Sequence, residues 1–138
     1  MVDPSVILKR AEQIEKHLDR IRLFSSLTCD AFLKDNVVQD VAEYNLFQIV
    51  NHLIDIFQHV VVDEEYGFPE TAYEAAQILL TKGILGQKEI EVFKQMVGFR
   101  NAVGQDYINI NKDVVHQILN HGEKDIRTLL ARIVSKYL

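Results

Sequence analysis

The side chains best equipped for chemistry lie in two stretches of the sequence. In the first, His52, Asp55 and His59 recur at i, i+3 and i+7. That spacing puts two imidazoles and a carboxylate on one helix face, where they can ligate a metal ion. One helix alone rarely completes a coordination shell, so the preferred reading is a row of partly buried polar groups at a seam between helices. His116 and His121 do not share a face cleanly, which argues against a second metal pair, and no metal is expected. Cys29 is the sole cysteine. No intrachain disulfide can form, and with no hydrolase signature around it Cys29 reads as a buried thiol. The second stretch runs Met96-Val97-Gly98-Phe99-Arg100-Asn101-Ala102-Val103-Gly104-Gln105-Asp106-Tyr107. On residue types alone, Arg100 is either a surface ion-pair partner or a cation near a helix C-terminus, where the backbone dipole favours positive charge. Tyr107, beside Ile108 and Ile110, reads as a packed aromatic with its hydroxyl at the surface, and Asp106 as a solvated loop residue or turn former.

Helices must position these groups. Asp3 is a natural N-cap and Pro4 suits the first helical position. Ile7, Ala11, Ile14, Leu18 and Ile21 then repeat at four-three spacing, and Ser25-Ser26 ends the run. A second run spans about Asp30 to Val62, with Val38, Val41, Leu46, Ile49, Leu53, Phe57 and Val60 in phase. Val37, Val50, Ile54, Ile56 and Val61 widen its stripe, as suits a central helix that meets a second partner. The segment from Asp63 to Pro69 is a loop whose Asp63-Glu64-Glu65 is either solvated or an acidic contact for a partner. Thr71-Ala72-Tyr73-Glu74 has the capping-box form, opening a short helix that stops at Gly83. Another helix runs from about Gln87 through Arg100, with Gly104 as its stop signal. The last begins near Asn111, and Gly122 interrupts its stripe at modest cost. The expected fold is all-α: one domain over residues 1–138, an antiparallel bundle of about five helices.

Composition agrees with this and excludes several classes. The chain has 138 residues, 48% hydrophobic and 25% charged, with 6 Gly and 2 Pro, ordinary values for a globular domain. No stretch approaches the roughly 20 apolar residues of a membrane span. Met1-Val2-Asp3-Pro4 lacks the basic and apolar regions of a signal peptide, so the cytoplasm is the expected location. The net charge of −5 excludes a broadly basic nucleic-acid-binding surface. If RNA is a substrate, positive charge must be local or assembled between subunits.

The stretch around Arg100 resembles the signature of the HepT-like branch of the HEPN superfamily: an Arg, usually followed by Asn, then a His a few residues on, any residue, and a Tyr. The similarity extends to Leu46–Phe57 with Asn51-His52 and Asp55-Ile56, to Gly67-Phe68-Pro69, Tyr73-Glu74-Ala75 and Gly83-Ile84-Leu85, and to Val114-Val115 in the last helix. It covers nearly the whole chain. The resemblance implies a HEPN-like bundle acting as the ribonuclease toxin of a toxin–antitoxin pair, without metal or cofactor. It further implies a homodimer, a tRNA or mRNA substrate, and an MNT-type nucleotidyltransferase antitoxin as partner. Arg100 would hold the scissile phosphate with its guanidinium fork, Asn101 would orient the site, and Tyr107 would be the residue that the antitoxin modifies with AMP.

The departure is Gln105, where the family has His. An imidazole titrates near neutrality and can take and return a proton. Glutamine cannot, although it still donates to a phosphate and accepts from a hydroxyl. Gly104, where the family often has an apolar residue, loosens the loop. His116 and His52 are the candidate substitutes for the missing imidazole. Three functions follow: a ribonuclease toxin; a catalytically impaired interaction protein of the same fold that binds the nucleotidyltransferase or nucleotides; and a helical subunit that positions substrate for that enzyme.

Overall fold

The first helix begins as its sequence dictates. The Asp3 carboxylate accepts from the Ser5 backbone N–H at 2.9 Å and from the Ser5 hydroxyl at 2.8 Å. Helix α1 then runs Pro4–Arg22, burying Ile7, Ile14, Leu18 and Ile21. The computed structural model describes residues 1–105 and 110–138. It contains, among them, α2 (Cys29–Leu33), α3 (Asn36–Asp63), α4 (Ala72–Thr81), α5 (Gln87–Gln105) and α6 (Lys112–Tyr137), and no strand.

The expected run from Asp30 to Val62 is in fact two helices. Asp35 leaves helical geometry at φ −122°, ψ 97° and caps α3, its carboxylate accepting from the N–H groups of Val37 and Val38, both at 3.1 Å. Gln39 is buried and donates from Nε2 to the Phe32 carbonyl oxygen at 2.9 Å. That carbonyl oxygen, at the end of α2, also accepts from the Asp35 N–H at 3.3 Å. The capping box at α4 is half formed. Thr71 Oγ1 accepts from the Glu74 N–H at 3.0 Å, but the Glu74 carboxylate takes the N–H of Glu70, at 3.2 Å, instead of that of Thr71. Gly83, at φ 75°, turns the chain after α4 as expected.

Helix α5 is longer than its sequence suggests. Gly104 does not stop it, and the helix continues through Gln105. Arg100 is therefore more than a turn from the helix end, and it is not a C-terminal dipole cation. Asn111 caps α6 by accepting from the Asp113 N–H at 3.0 Å. That helix runs unbroken through Gly122, which is buried.

Helix α3 is central, and α1, α2, α4, α5 and α6 all pack on it. Its row Ile49, Leu53, Ile56, Phe57, Val60 and Val61 is buried, while Val37 and Tyr44 near its start stand 72% and 55% exposed. The Phe57 and Phe93 rings lie 4.8 Å apart. A Cβ at Gly104 would lie 4.0 Å from the Phe47 ring. As residue numbers fall along α3 they rise along α5, so the two helices are antiparallel. No helix among the described residues is long and apolar enough to cross a membrane.

Candidate functional site

Arg100, Asn101 and Gln105 lie on the last two turns of α5. At about 100° per residue, Asn101 and Gln105 project within about 40° of each other, while Arg100 points about 140° away from Gln105. The burial pattern agrees: Asn101 and Gln105 are exposed and Arg100 is half-buried. The Phe57–Phe93 ring contact and the proximity of Gly104 to Phe47 set the register, placing Arg100 level with Val50 and Asn51 of α3. Arg100 Nε is inaccessible to solvent and has no hydrogen-bond partner among the described residues. A buried guanidinium nitrogen left unpaired is unfavourable, so its position favours an arriving anion or acceptor. Tyr107, with Asp106, Ile108 and Asn109, lies outside the described residues.

Neither candidate imidazole hydrogen-bonds to Arg100. His116 is buried on α6 with Nε2 2.8 Å from the Leu27 carbonyl oxygen, and its ring stands 5.5 Å from Phe32. It ties α6 to the α1–α2 connection. His52 is half-buried in the α1–α3 seam, where Nδ1 accepts from Arg10 at 3.2 Å and the ring stacks on His17 at 5.9 Å. Burial first, then the Arg10 charge and His17, hold its pKa below the ordinary histidine value, with Asp55 opposing. Of the other members of that row, Asp55 pairs with Arg10 at 3.3 Å, whereas His59 Nε2 is buried 3.4 Å from Asp63 and makes no hydrogen bond among the described residues. His52 and His59 are thus partly buried and Asp55 is exposed, and no three metal-ligating groups converge among the described residues. Cys29 is half-buried. Its thiol donates to Asp113 at 3.3 Å, and that carboxylate pushes the thiol pKa up, away from nucleophilic character.

Two features were not singled out from the sequence. Glu43 is a buried carboxylate paired with Lys112, the first residue of α6. Its signal was legible, because Glu43 falls in the inward row Gln39, Glu43, Leu46, Val50 of α3, where an unpaired charge would be costly. The second is an open groove of about 630 Å³ between α5 and α6, lined by Gln95, Phe99, Asn111, Val114, His121 and Asp125 among others. It opens on the opposite side of α5 from the α3-facing Arg100.

The sequence profile of the family described as Ribonuclease HepT-like matches residues 14–133. The chain belongs to the HepT-like ribonuclease family. Among HepT relatives, it is 25% identical over 125 residues to a protein of Shewanella oneidensis named mRNA nuclease HepT, covering 91% of this chain and 93% of that one. It is 26% identical over 137 residues to a protein of Aphanizomenon flos-aquae named tRNA nuclease HepT, covering 99% of this chain and 92% of the relative. The fold superposes with a TM-score of 0.86 and 25% identity on a tri-AMPylated HEPN toxin of Shewanella oneidensis in complex with MNT antitoxin, over 98% of this chain and 99% of that one. The all-α bundle expected from helical periodicity is thus the HEPN fold. With six helices among the described residues it has one more than expected, because the long second run divides at Asp35.

Proposed function

We propose that this HepT-like chain is the toxin of a toxin–antitoxin pair: a metal-independent cytoplasmic endoribonuclease restrained by an MNT-type nucleotidyltransferase that transfers AMP to Tyr107. The observation that carries this reading is Arg100, half-buried on α5 with Nε unpartnered among the described residues. Its guanidinium grips the scissile phosphate and disperses the charge that builds on the pentavalent phosphorus. The RNA 2′-oxygen attacks phosphorus, its proton passes to solvent, and the 5′-oxygen leaves with a proton, giving a cyclic phosphate end. Gln105 accepts from the 2′-hydroxyl or donates to a phosphate oxygen, and Asn101 on the same face orients the substrate. AMP on Tyr107 places a bulky anion where the RNA phosphate would sit.

Within one subunit, Arg100 and Gln105 point in directions about 140° apart. A homodimer that brings two α5 ends to one cleft supplies both groups to one phosphate. It also concentrates two arginines locally in a chain of net charge −5.

Gln105 favours a second reading, a catalytically impaired HEPN-fold protein that keeps its nucleotidyltransferase or nucleotide contacts. Loss of a general base costs about 10²–10⁴-fold in rate, and neither His52 nor His116 hydrogen-bonds to Arg100. The deciding experiment compares cleavage of tRNA and mRNA, in chelator, by the unaltered protein, Gln105→His and Arg100→Ala. Cleavage by the unaltered protein but not by Arg100→Ala supports the toxin reading. Cleavage by Gln105→His alone supports the impaired protein. If none cleaves while the nucleotidyltransferase still binds, the ribonuclease reading fails.

A further inference from the structure

Glu43 is the one carboxylate-bearing residue among the described residues that is buried, at 3% exposure. Its hydrogen-bonding partner among them is the Lys112 ammonium. Stability is a poor explanation for this pair. Even a fully buried ion pair is often no more stabilising than apolar side chains of similar volume, and the Lys112 side chain is 33% exposed. Lys112 also opens α6, where a cation opposes the helix dipole. Such a pair is better explained by what it fixes than by what it stabilises.

What it fixes is the start of α6 relative to the end of α5. The last turn of α5 lies near Phe47 of α3, where a Cβ built on Gly104 would come 4.0 Å from the ring. One helical turn earlier on α3, Glu43 holds Lys112. Gly104, four residues beyond Arg100, and Lys112 thus lie beside successive turns of one helix. His116 and Asp113 tie α6 to Leu27 and to Cys29 of α2, whereas the Glu43–Lys112 pair ties its first turn to α3.

We infer that Glu43, acting through Lys112, is a positioning residue for the Arg100 site. This rests on the ribonuclease reading above. Glu43 touches no substrate in this role. It sets the spacing between the α5 end, with Arg100, Asn101 and Gln105, and the α6 start.

The test uses the full chain with Glu43→Gln, Lys112→Met, their double variant and Lys112→Arg. RNA cleavage is measured as kcat and KM below the Tm of every variant, and amide hydrogen exchange is followed by mass spectrometry. Glu43→Gln and Lys112→Met are each expected to lower kcat about 10- to 100-fold with KM nearly unchanged, the size of effect that a small misplacement of reacting groups produces. The double variant should lose no more than either single one, because both remove one device. Lys112→Arg should restore most of the rate. Exchange should quicken in the first turn of α6 and the last turn of α5 but not in α1. An unchanged kcat, a loss confined to KM, additive losses, or a failure of Lys112→Arg to recover activity overturns the inference. If the unaltered protein cleaves no RNA, the ribonuclease reading fails and the role in cleavage falls with it. Exchange then judges the anchoring of α6 alone, and unchanged rates at its first turn overturn that as well.

Discussion

His116 Nε2 lies 2.8 Å from the carbonyl oxygen of Leu27, on the side of α6 that faces α2. The bond requires the Nε2–H form of the ring, and it pins the α1–α2 connection to the bundle. His116→Ala removes that bond and the buried ring beside Phe32. The expected loss is about 2–4 kcal/mol, from one net hydrogen bond and the burial of an aromatic side chain. RNA cleavage per folded molecule should not change. Urea unfolding gives the first quantity and cleavage at low temperature the second. A rate loss larger than the unfolded fraction accounts for would place His116 in the site.

His52 makes the α1–α3 seam sensitive to pH. Its folded pKa lies below the unfolded value of about 6.5, chiefly because the ring is partly buried and next because Arg10 stands beside it. The folded state therefore binds a proton less readily than the unfolded chain. The seam's contribution is complete above about pH 6.5 and is lost as pH falls through the lowered folded value. His52→Gln, which can still accept from Arg10, should flatten the Tm-against-pH curve in that window. The lowered carboxyl groups Asp3 and Glu15 titrate further into acid and leave the comparison undisturbed. Parallel curves for the two proteins between pH 5 and 7 would refute the assignment.

Asp35 divides the second helical run, and its worth can be measured directly. With two N–H groups on its carboxylate, Asp35→Ala should cost about 1 kcal/mol. Asp35→Asn should lose only a fraction of that, since Asn caps about as well. The check is the urea midpoint at constant slope. An alanine variant as stable as the parent would mean that Gln39 and the Phe32 carbonyl hold the break unaided.

The same residue shows where the sequence was readable and where it was not. The Asp3-Pro4 start, the Gly83 turn and the Asn111 cap each combine a residue type with a strong local preference, and each stands where expected. Asp35 was missed because Asp is tolerated inside helices and the apolar residues on either side of it keep helical phase. Gly104 erred the other way. Glycine ends helices when it takes a positive φ, but Gly104 stays helical. For the candidate site, the signature singles out Arg100, Asn101 and Gln105, because a motif is a local string. The ties of His116 to Leu27 and of Glu43 to Lys112 were not, since each joins residues far apart in sequence.

Gly98 separates the needs of the helix from those of the face it sits on. It lies in the middle of α5, exposed, and a Cβ built there meets nothing within 4 Å. In an isolated subunit, Gly98→Ala should stabilise by about 0.5–1 kcal/mol, because alanine has less backbone entropy to lose. For a domain of this size that is a rise of about 2–5 °C in Tm. Gly98 also lines the α5–α6 groove, two residues before Arg100. If a second subunit packs closely against that face, the added methyl group meets it and weakens the dimer. Scanning calorimetry across a concentration series, with sedimentation velocity on the same samples, distinguishes the cases. A higher Tm with unchanged association leaves this face of α5 open to solvent, whereas a lower Tm that recovers with concentration places the dimer contact on it.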